Sequence, residues 1–151
     1  MKAAQIRIGV YGGSKCTSEI SKMAREVGRL LSRKGVLVYC GGLGGVMEAV
    51  SEGVAEENGT VVGILPTAHC ETANRYITIP VATGVAEARN VIIANSIQGA
   101  IAIDGEYGTL SEIAHTLRQK KPVVGLHTWD TKGIEAADSP AEAVSRILEL
   151  V

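Results

Sequence analysis

Six short runs built almost wholly of aliphatic and β-branched residues recur along this chain, and most gaps between them carry apolar residues at helical spacing. Strands apolar on both faces must be covered on both faces, which crossover helices do when the strands run parallel. The fold class this predicts is α/β, a Rossmann-like three-layer αβα sandwich with a mainly parallel central sheet. Ile6–Val10 reads as the first strand. Ile20, Met23, Ala24, Val27, Leu30 and Leu31 then mark one face of a helix that stops at Gly35. Val36–Cys40 is the second strand, followed by a helix from Gly45 to Glu57 that ends at Asn58-Gly59. Thr60–Leu65 is the third, stopped by Pro66.

From Thr67 to Tyr76 the chain is polar and irregular, the pattern of a flap over a site. A short strand follows at Ile77–Ala82, then a helix over Val85–Ser96, a strand at Ala100–Ile103, a helix over Leu110–Gln119 and a strand at Pro122–Leu126. Ser139, Pro140 and Glu142 give the last helix a cap, a first-turn proline and a capping-box acid. With 151 residues, 46% of them hydrophobic, and no repeat or linker, residues 1–151 are expected to form one domain around one core.

Net charge is −1 with the signs interspersed, so no basic stripe marks a nucleic-acid partner. No apolar run approaches the roughly 20 residues of a membrane helix, and Met1–Gln5 carries no signal-peptide core. Cys16, Cys40 and Cys70 are too few and too scattered for a zinc or disulfide framework. His69-Cys70 lacks a third ligand, so no metal site is expected. A cytoplasmic location fits best.

In a parallel sheet every strand-to-helix turn lies at the carboxyl edge, where ligands bind as the connections diverge. Three such turns are glycine-rich: Gly12-Gly13-Ser14-Lys15, Gly41-Gly42-Leu43-Gly44-Gly45 and Gly105-Glu106-Tyr107-Gly108-Thr109. Glycine admits an anion close to the backbone, and the helix behind it offers unpaired N–H groups. Tight turns need glycine for their own sake, but three on one edge point to a pocket for a small phosphorylated ligand. Neither nucleotide fingerprint is intact. Ser14 and Cys16 break the P-loop pattern, and Gly42-Leu43-Gly44-Gly45 is not a dinucleotide signature. No ATPase or dehydrogenase is expected.

Tyr39-Cys40-Gly41-Gly42-Leu43-Gly44-Gly45-Val46-Met47-Glu48-Ala49-Val50 is similar to the YGGGxxGLMGAV segment of the LOG-like (SLOG) superfamily. Asp104-Gly105-Glu106-Tyr107-Gly108-Thr109-Leu110-Ser111-Glu112 resembles its PGGxGTxxE signature, and Tyr11-Gly12-Gly13-Ser14 its first turn. Glu87-Ala88-Arg89-Asn90 falls where LOG phosphoribohydrolases carry an Arg-Lys pair. The compact length and the segments around Gly63-Ile64-Leu65-Pro66 look most like the molybdenum-cofactor carrier branch. That resemblance implies a carried molybdenum cofactor or a nucleotide as ligand, with no cofactor required, and a homodimer or homotetramer. LOG enzymes instead cleave the N-glycosidic bond of nucleoside 5′-monophosphates.

By the same resemblance Arg89 and Glu112 are the catalytic candidates. Gly12, Gly13, Ser14, Lys15, Gly41, Gly42, Gly44, Gly45, Met47, Asn90, Gly105, Tyr107, Gly108 and Thr109 are the ligand-binding candidates. The departures are Asp104 for proline, Glu106 for glycine, Asn90 for lysine and Glu48 for a small residue. Glu112 has a rival role as the acid of a capping box begun by Thr109. Arg89, on a mostly apolar helix, must reach solvent or meet an anion. Arg75 in the flap is a further cation near the edge, and a helix start beside Cys16 would lower its pKa. His115, Met23 and Trp129 read as packing residues. A carrier of a phosphorylated heterocycle is expected first, with a phosphoribohydrolase and a nucleotide-sensing domain as alternatives.

Overall fold

The computed structural model describes residues 4–151; Met1, Lys2 and Ala3 of the expected leaderless start lie outside them. Twelve helices and strands follow in order: β1 Arg7–Gly12, α1 Ser18–Arg33, β2 Leu37–Cys40, α2 Val46–Glu56, β3 Val61–Leu65, β4 Ile79–Ala82, α3 Arg89–Ser96, β5 Gly99–Ile103, α4 Tyr107–Arg118, β6 Val123–Leu126, β7 Ile134–Ala136 and α5 Pro140–Leu150. The sheet order is β4-β3-β2-β1-β5-β6-β7, and every pairing is parallel. No described helix is long and apolar enough to cross a membrane.

The expected layers form because β1, β3, β5 and β6 are buried almost throughout. α1, α2 and α5 cover one face, over Ile8, Val10, Leu31, Val50 and Ile147. α3 and α4 cover the other, over Tyr11, Ile93, Ile97 and Ile113. β1 is central: the chain steps outward from it through β2, β3 and β4, then returns to lay β5 on its other side. The connections leaving β1 and β5 therefore go to opposite faces, which opens a crevice at their carboxyl ends.

Four expectations need correction. β7 has no apolar run to announce it; Glu135 and Ala136 are exposed, and it is a three-residue edge strand. The fourth strand starts at Ile79, two residues late. The helix expected from Val85 is a 3₁₀ turn, Ala86–Ala88, and then α3 from Arg89. Ala86 sits at φ 52, a left-handed conformation that no α-helix continues through. Finally, α4 starts at Tyr107, three residues early, which changes the reading of Thr109 and Glu112.

The segment expected as a flap is stapled down. Asn74 donates its backbone N–H to Gly42 O and its Nδ2 to Leu43 O, both at 2.9 Å, and its Oδ1 accepts from Tyr76 N. The last helix starts as expected: Ser139 Oγ accepts from Glu142 N at 3.1 Å, and Glu142 reaches back to Asp138 N at 2.9 Å.

α1 and α2 approach so closely that each needs a glycine at the crossing. A methyl on Gly28 would lie 2.2 Å from Val50 O, and one on Gly53 would lie 1.9 Å from Arg25 O. The Arg25, Arg29 and Arg33 pairs with Glu56 and Glu57 are partly exposed and add little. Alanine normally favours a helix over glycine by about 1 kcal/mol. At Gly53 the sign should reverse: Gly53→Ala is expected to cost roughly 1–3 kcal/mol, lowering the melting temperature by roughly 5 °C. An unchanged or higher melting temperature would show that the helices can part without loss.

Candidate functional site

The crevice between β1 and β5 holds a cavity of about 400 Å³. Its floor and walls come from all three glycine-rich turns and from the start of α3. Gly12, Gly13, Ser14 and Lys15 of the first turn line it, as do Gly105, Gly108 and Thr109 of the third. Arg89 and Asn90 enter from α3, Glu112 from α4 and Met47 from α2. The turns thus meet at one rim, as their spacing predicts.

They do not contribute alike. Gly41, Gly42, Gly44 and Gly45 are not on the cavity wall; that turn instead presents Leu43, with Met47 behind it. Its glycines serve packing. A methyl on Gly41 would come within 2.7 Å of both Arg89 Nη2 and Met47 Sδ, so this glycine makes room for the guanidinium. Gly45, at φ 62, would place a methyl 2.3 Å from Gly13 O, and Val46 N donates to that same oxygen at 3.0 Å. The first and second turns are locked together, and the first N–H of α2 is already used.

The third turn is different. Glu106 stands at the N-cap of α4 and no side chain caps the helix. The first N–H groups of a helix lack intrahelical partners, and Gly108 and Thr109, both in the first turn of α4, line the cavity. Gly105, at φ 96, packs against Thr109, whose Oγ1 would lie 2.2 Å from an added methyl. Thr109 is therefore inside the first turn and is not its cap. The capping-box role for Glu112 fails, because its carboxyl is buried in the cavity and no hydrogen bond holds it to the helix start. Tyr107, between two wall residues, is not itself on the cavity wall and is 79% exposed.

Arg89 is only 6% exposed. Its Nη1 donates to Asn90 Oδ1, while its buried Nε has no partner. Asn90 Nδ2 reaches Ser111 Oγ at 3.4 Å, which ties α3 to α4. The apolar α3 thus buries its arginine against the cavity and leaves Val91 and Ile92 outside. Burial pushes the Glu112 carboxyl up to about 8, against the opposing pull of Arg89 and with help from Glu87. Beneath it Tyr11 Oη and Thr116 Oγ1 share a buried hydrogen bond of 2.7 Å, and burial raises the Tyr11 hydroxyl far above its usual range. Cys40 is pushed up to about 11 by burial. Cys16 is also raised, by burial and then by Asp104, contrary to the lowering expected beside a helix start.

Leu43 and Glu87 line the cavity without having been singled out in the sequence. Nothing distinguishes Leu43 from any turn residue, and Glu87 reaches the wall only because Ala86 breaks the helix. Asp104 and Glu106 also line it, which sets four carboxylates against Lys15 and Arg89. Glu106 is solvent-exposed and leaves the interior open. Asp104 sits at φ 50, a conformation closed to proline, so its turn differs in backbone from one with proline there. A second, shallower hollow of about 550 Å³ shares Ser14 and Lys15 and includes Arg75, which stacks 4.8 Å above the Tyr76 ring.

Residues 5–149 match the model of the SLOG cluster4 family. The molybdenum cofactor binding protein of Rippkaea orientalis superposes with a TM-score of 0.92 at 31% identity, covering 98% of each chain. The molybdenum cofactor carrier protein of Chlamydomonas reinhardtii gives 0.85 at 31% identity, covering 97% of this chain and 98% of that one. A probable cytokinin riboside 5′-monophosphate phosphoribohydrolase of Oryza sativa is 31% identical over 126 residues, covering 80% of this chain. This chain spans only 55% of that relative's length.

The raised Glu112 carboxyl carries a pH signature. The native state keeps this proton to about pH 8, whereas the unfolded chain releases it near 4.5. Between those values the native state holds more protons, so stability falls as pH rises. Denaturant midpoints should drop between about pH 4.5 and about pH 8, and Glu112→Gln should remove part of that drop, on the order of a few kcal/mol. Identical slopes in the two proteins would mean that Glu112 ionises normally.

Proposed function

The chain belongs to the SLOG cluster4 family, and from that premise we propose that it binds and carries a phosphorylated, nucleotide-like ligand of the nucleoside monophosphate or molybdopterin type. The observation that carries this reading is Arg89, nine-tenths buried with an unpartnered Nε, on the same cavity wall as the uncapped start of α4. A phosphate there accepts from the N–H groups of Gly108 and Thr109 and takes Arg89 as its counter-ion. Gly41 holds open the space for that guanidinium, and Lys15 adds a second, exposed cation.

The residues suit such a cargo. A volume near 400 Å³ is at the small end of ligand sites and fits a monophosphate with its sugar or pyran. Carboxylates outnumber cations on the wall, which disfavours polyphosphates. A Glu112 that keeps its proton at neutral pH lessens this imbalance and can donate to a ring or sugar oxygen. The likeness to the molybdenum cofactor binding and carrier proteins named above agrees with a carried cofactor, here as cargo.

A specific observation favours a second reading, a phosphoribohydrolase. Arg89 and a protonated Glu112 stand in one cavity, and the rice relative is named for that reaction. Water would add at C1′ of the ribosyl group as the C1′–N bond breaks; the departing base would take a proton from Glu112, which the proton shed by the adding water restores. Asp104 and Glu106 weigh against it by adding negative charge beside the phosphate.

The three cysteines are free, which fits a reducing cytoplasm. Val85, Val91 and Ile92 near α3, with Ile79 and Val81 on the edge strand β4, leave apolar surface suited to a homodimer or homotetramer. Light scattering at micromolar concentration should show twice or four times the chain's 15.8 kDa, and a monomer would end that part of the proposal.

The main test is calorimetry with nucleoside 5′-monophosphates and a pterin phosphate, alongside an assay for released ribose 5-phosphate. Binding without release is expected. Arg89→Gln should weaken it by roughly 10- to 150-fold, the worth of one hydrogen bond to a charged partner. Turnover abolished by Glu112→Gln would establish the hydrolase, and failure of every phosphate to bind would overturn both readings.

A further inference from the structure

This chain has four tyrosines, one tryptophan and no phenylalanine, yet two of these five aromatics pair at the turn that carries Glu106 and Gly108 of the cavity wall. Tyr107, the first residue of α4, is by far the most exposed large hydrophobic side chain among the described residues, at 79%. Glu106 and Gly108 on either side of it both line the cavity. One flank of its ring rests on Trp129, with centroids 5.7 Å apart and planes tilted by 39°.

The pair is held in place from behind. Trp129 lies in the loop after β6, at the same carboxyl rim, and its Nε1 donates to Glu106 O at 3.1 Å. One residue earlier, Thr128 Oγ1 donates to Asp104 O at 2.7 Å, and Asp104 N donates to Leu126 O at 3.3 Å. Three bonds thus fasten this loop to the phosphate turn. The Tyr107 ring keeps a broad face in water while its neighbour is fixed, the arrangement of a platform and not of a core contact. Planar heterocycles stack on such faces whatever their hydrogen-bonding edge.

We propose that Tyr107, braced by Trp129, is the stacking platform for the ring of the ligand whose phosphate sits at Gly108 and Thr109. The inference rests on the phosphate reading given above and adds to it the side chain that receives the ligand's heteroaromatic ring and the place of that ring, outside the cavity. Phosphate and sugar fill the interior, and the ring lies across the mouth. Tyr107 is a specificity-determining residue under this assignment, and Trp129 its positioning residue.

Trp129 is the chain's one tryptophan, so its emission reports on this spot alone. The probes are AMP, GMP, a pterin phosphate and, as the ringless control, ribose 5-phosphate, each titrated by calorimetry and by fluorescence. At least one ring-bearing probe should bind more tightly than ribose 5-phosphate and alter the emission of Trp129, while ribose 5-phosphate should not. Tyr107→Ala should weaken the ring-bearing probe roughly tenfold and leave ribose 5-phosphate unchanged, whereas Tyr107→Phe should keep the wild-type affinity. A complex seen by calorimetry with unaltered emission, or a Tyr107→Ala affinity within about twofold of wild type, overturns the platform while sparing the phosphate site. If neither ribose 5-phosphate nor any ring-bearing probe binds, the phosphate reading fails and the platform falls with it.

Discussion

The site depends on one topological event, the reversal of direction between β1 and β5. As the chain builds outward from β1 on one side and returns to build on the other, the helices leaving these neighbouring strands must diverge to opposite faces. The gap they leave is lined by the glycine-rich turns and by a few side chains, Arg89 and Glu112 among them, and its chemistry is set by these and by whichever N–H groups remain unpaired. Here the first and second turns spend theirs partly on each other, through Val46 N and Gly13 O, while α4 starts without a cap.

A buried arginine facing an uncapped helix start is costly without a counter-ion. Asn90 offsets part of that cost by accepting from Nη1, and Glu112 lies close enough to couple electrostatically with Arg89. Yet Glu112 is so desolvated that it favours its proton, and it then offers Arg89 little charge. The pair is unbalanced in the direction of a missing negative group. A phosphate monoester supplies that charge, and its binding strengthens the reason for Glu112 to stay neutral.

Most of the architecture was legible because its signals are local and redundant. Ile101 and Ile103 could only be core, and Ser139-Pro140 could only begin a helix. The meeting of three turns at one edge followed from parallel strands and needed no contact information. Other features were illegible for physical reasons. β7 is too short and too exposed to carry a pattern. Thr109-Leu110-Ser111-Glu112 has the residues of a capping box, but α4 begins three residues earlier, and that start is set by the Asp104–Glu106 turn. Gly41 looked like an anion-binding glycine, whereas its work is to leave room for Arg89, a residue 48 positions away in sequence. No single-segment reading reports on such a pair.

The departures at Asp104 and Glu106 take on a different meaning once the loop after β6 is considered. By sequence alone, two carboxylates in a phosphate cradle look like a defect. In the fold, the Asp104 backbone adopts a left-handed conformation that lets its carbonyl meet Thr128, and the Glu106 carbonyl receives the Trp129 indole. Both residues therefore work through main-chain oxygens, and the Glu106 carboxylate is turned to water. What remains of their charge lies at the mouth. There it would repel a ligand with further phosphates while leaving a neutral ring unhindered, so under the proposed reading the turn that takes one phosphate excludes a second.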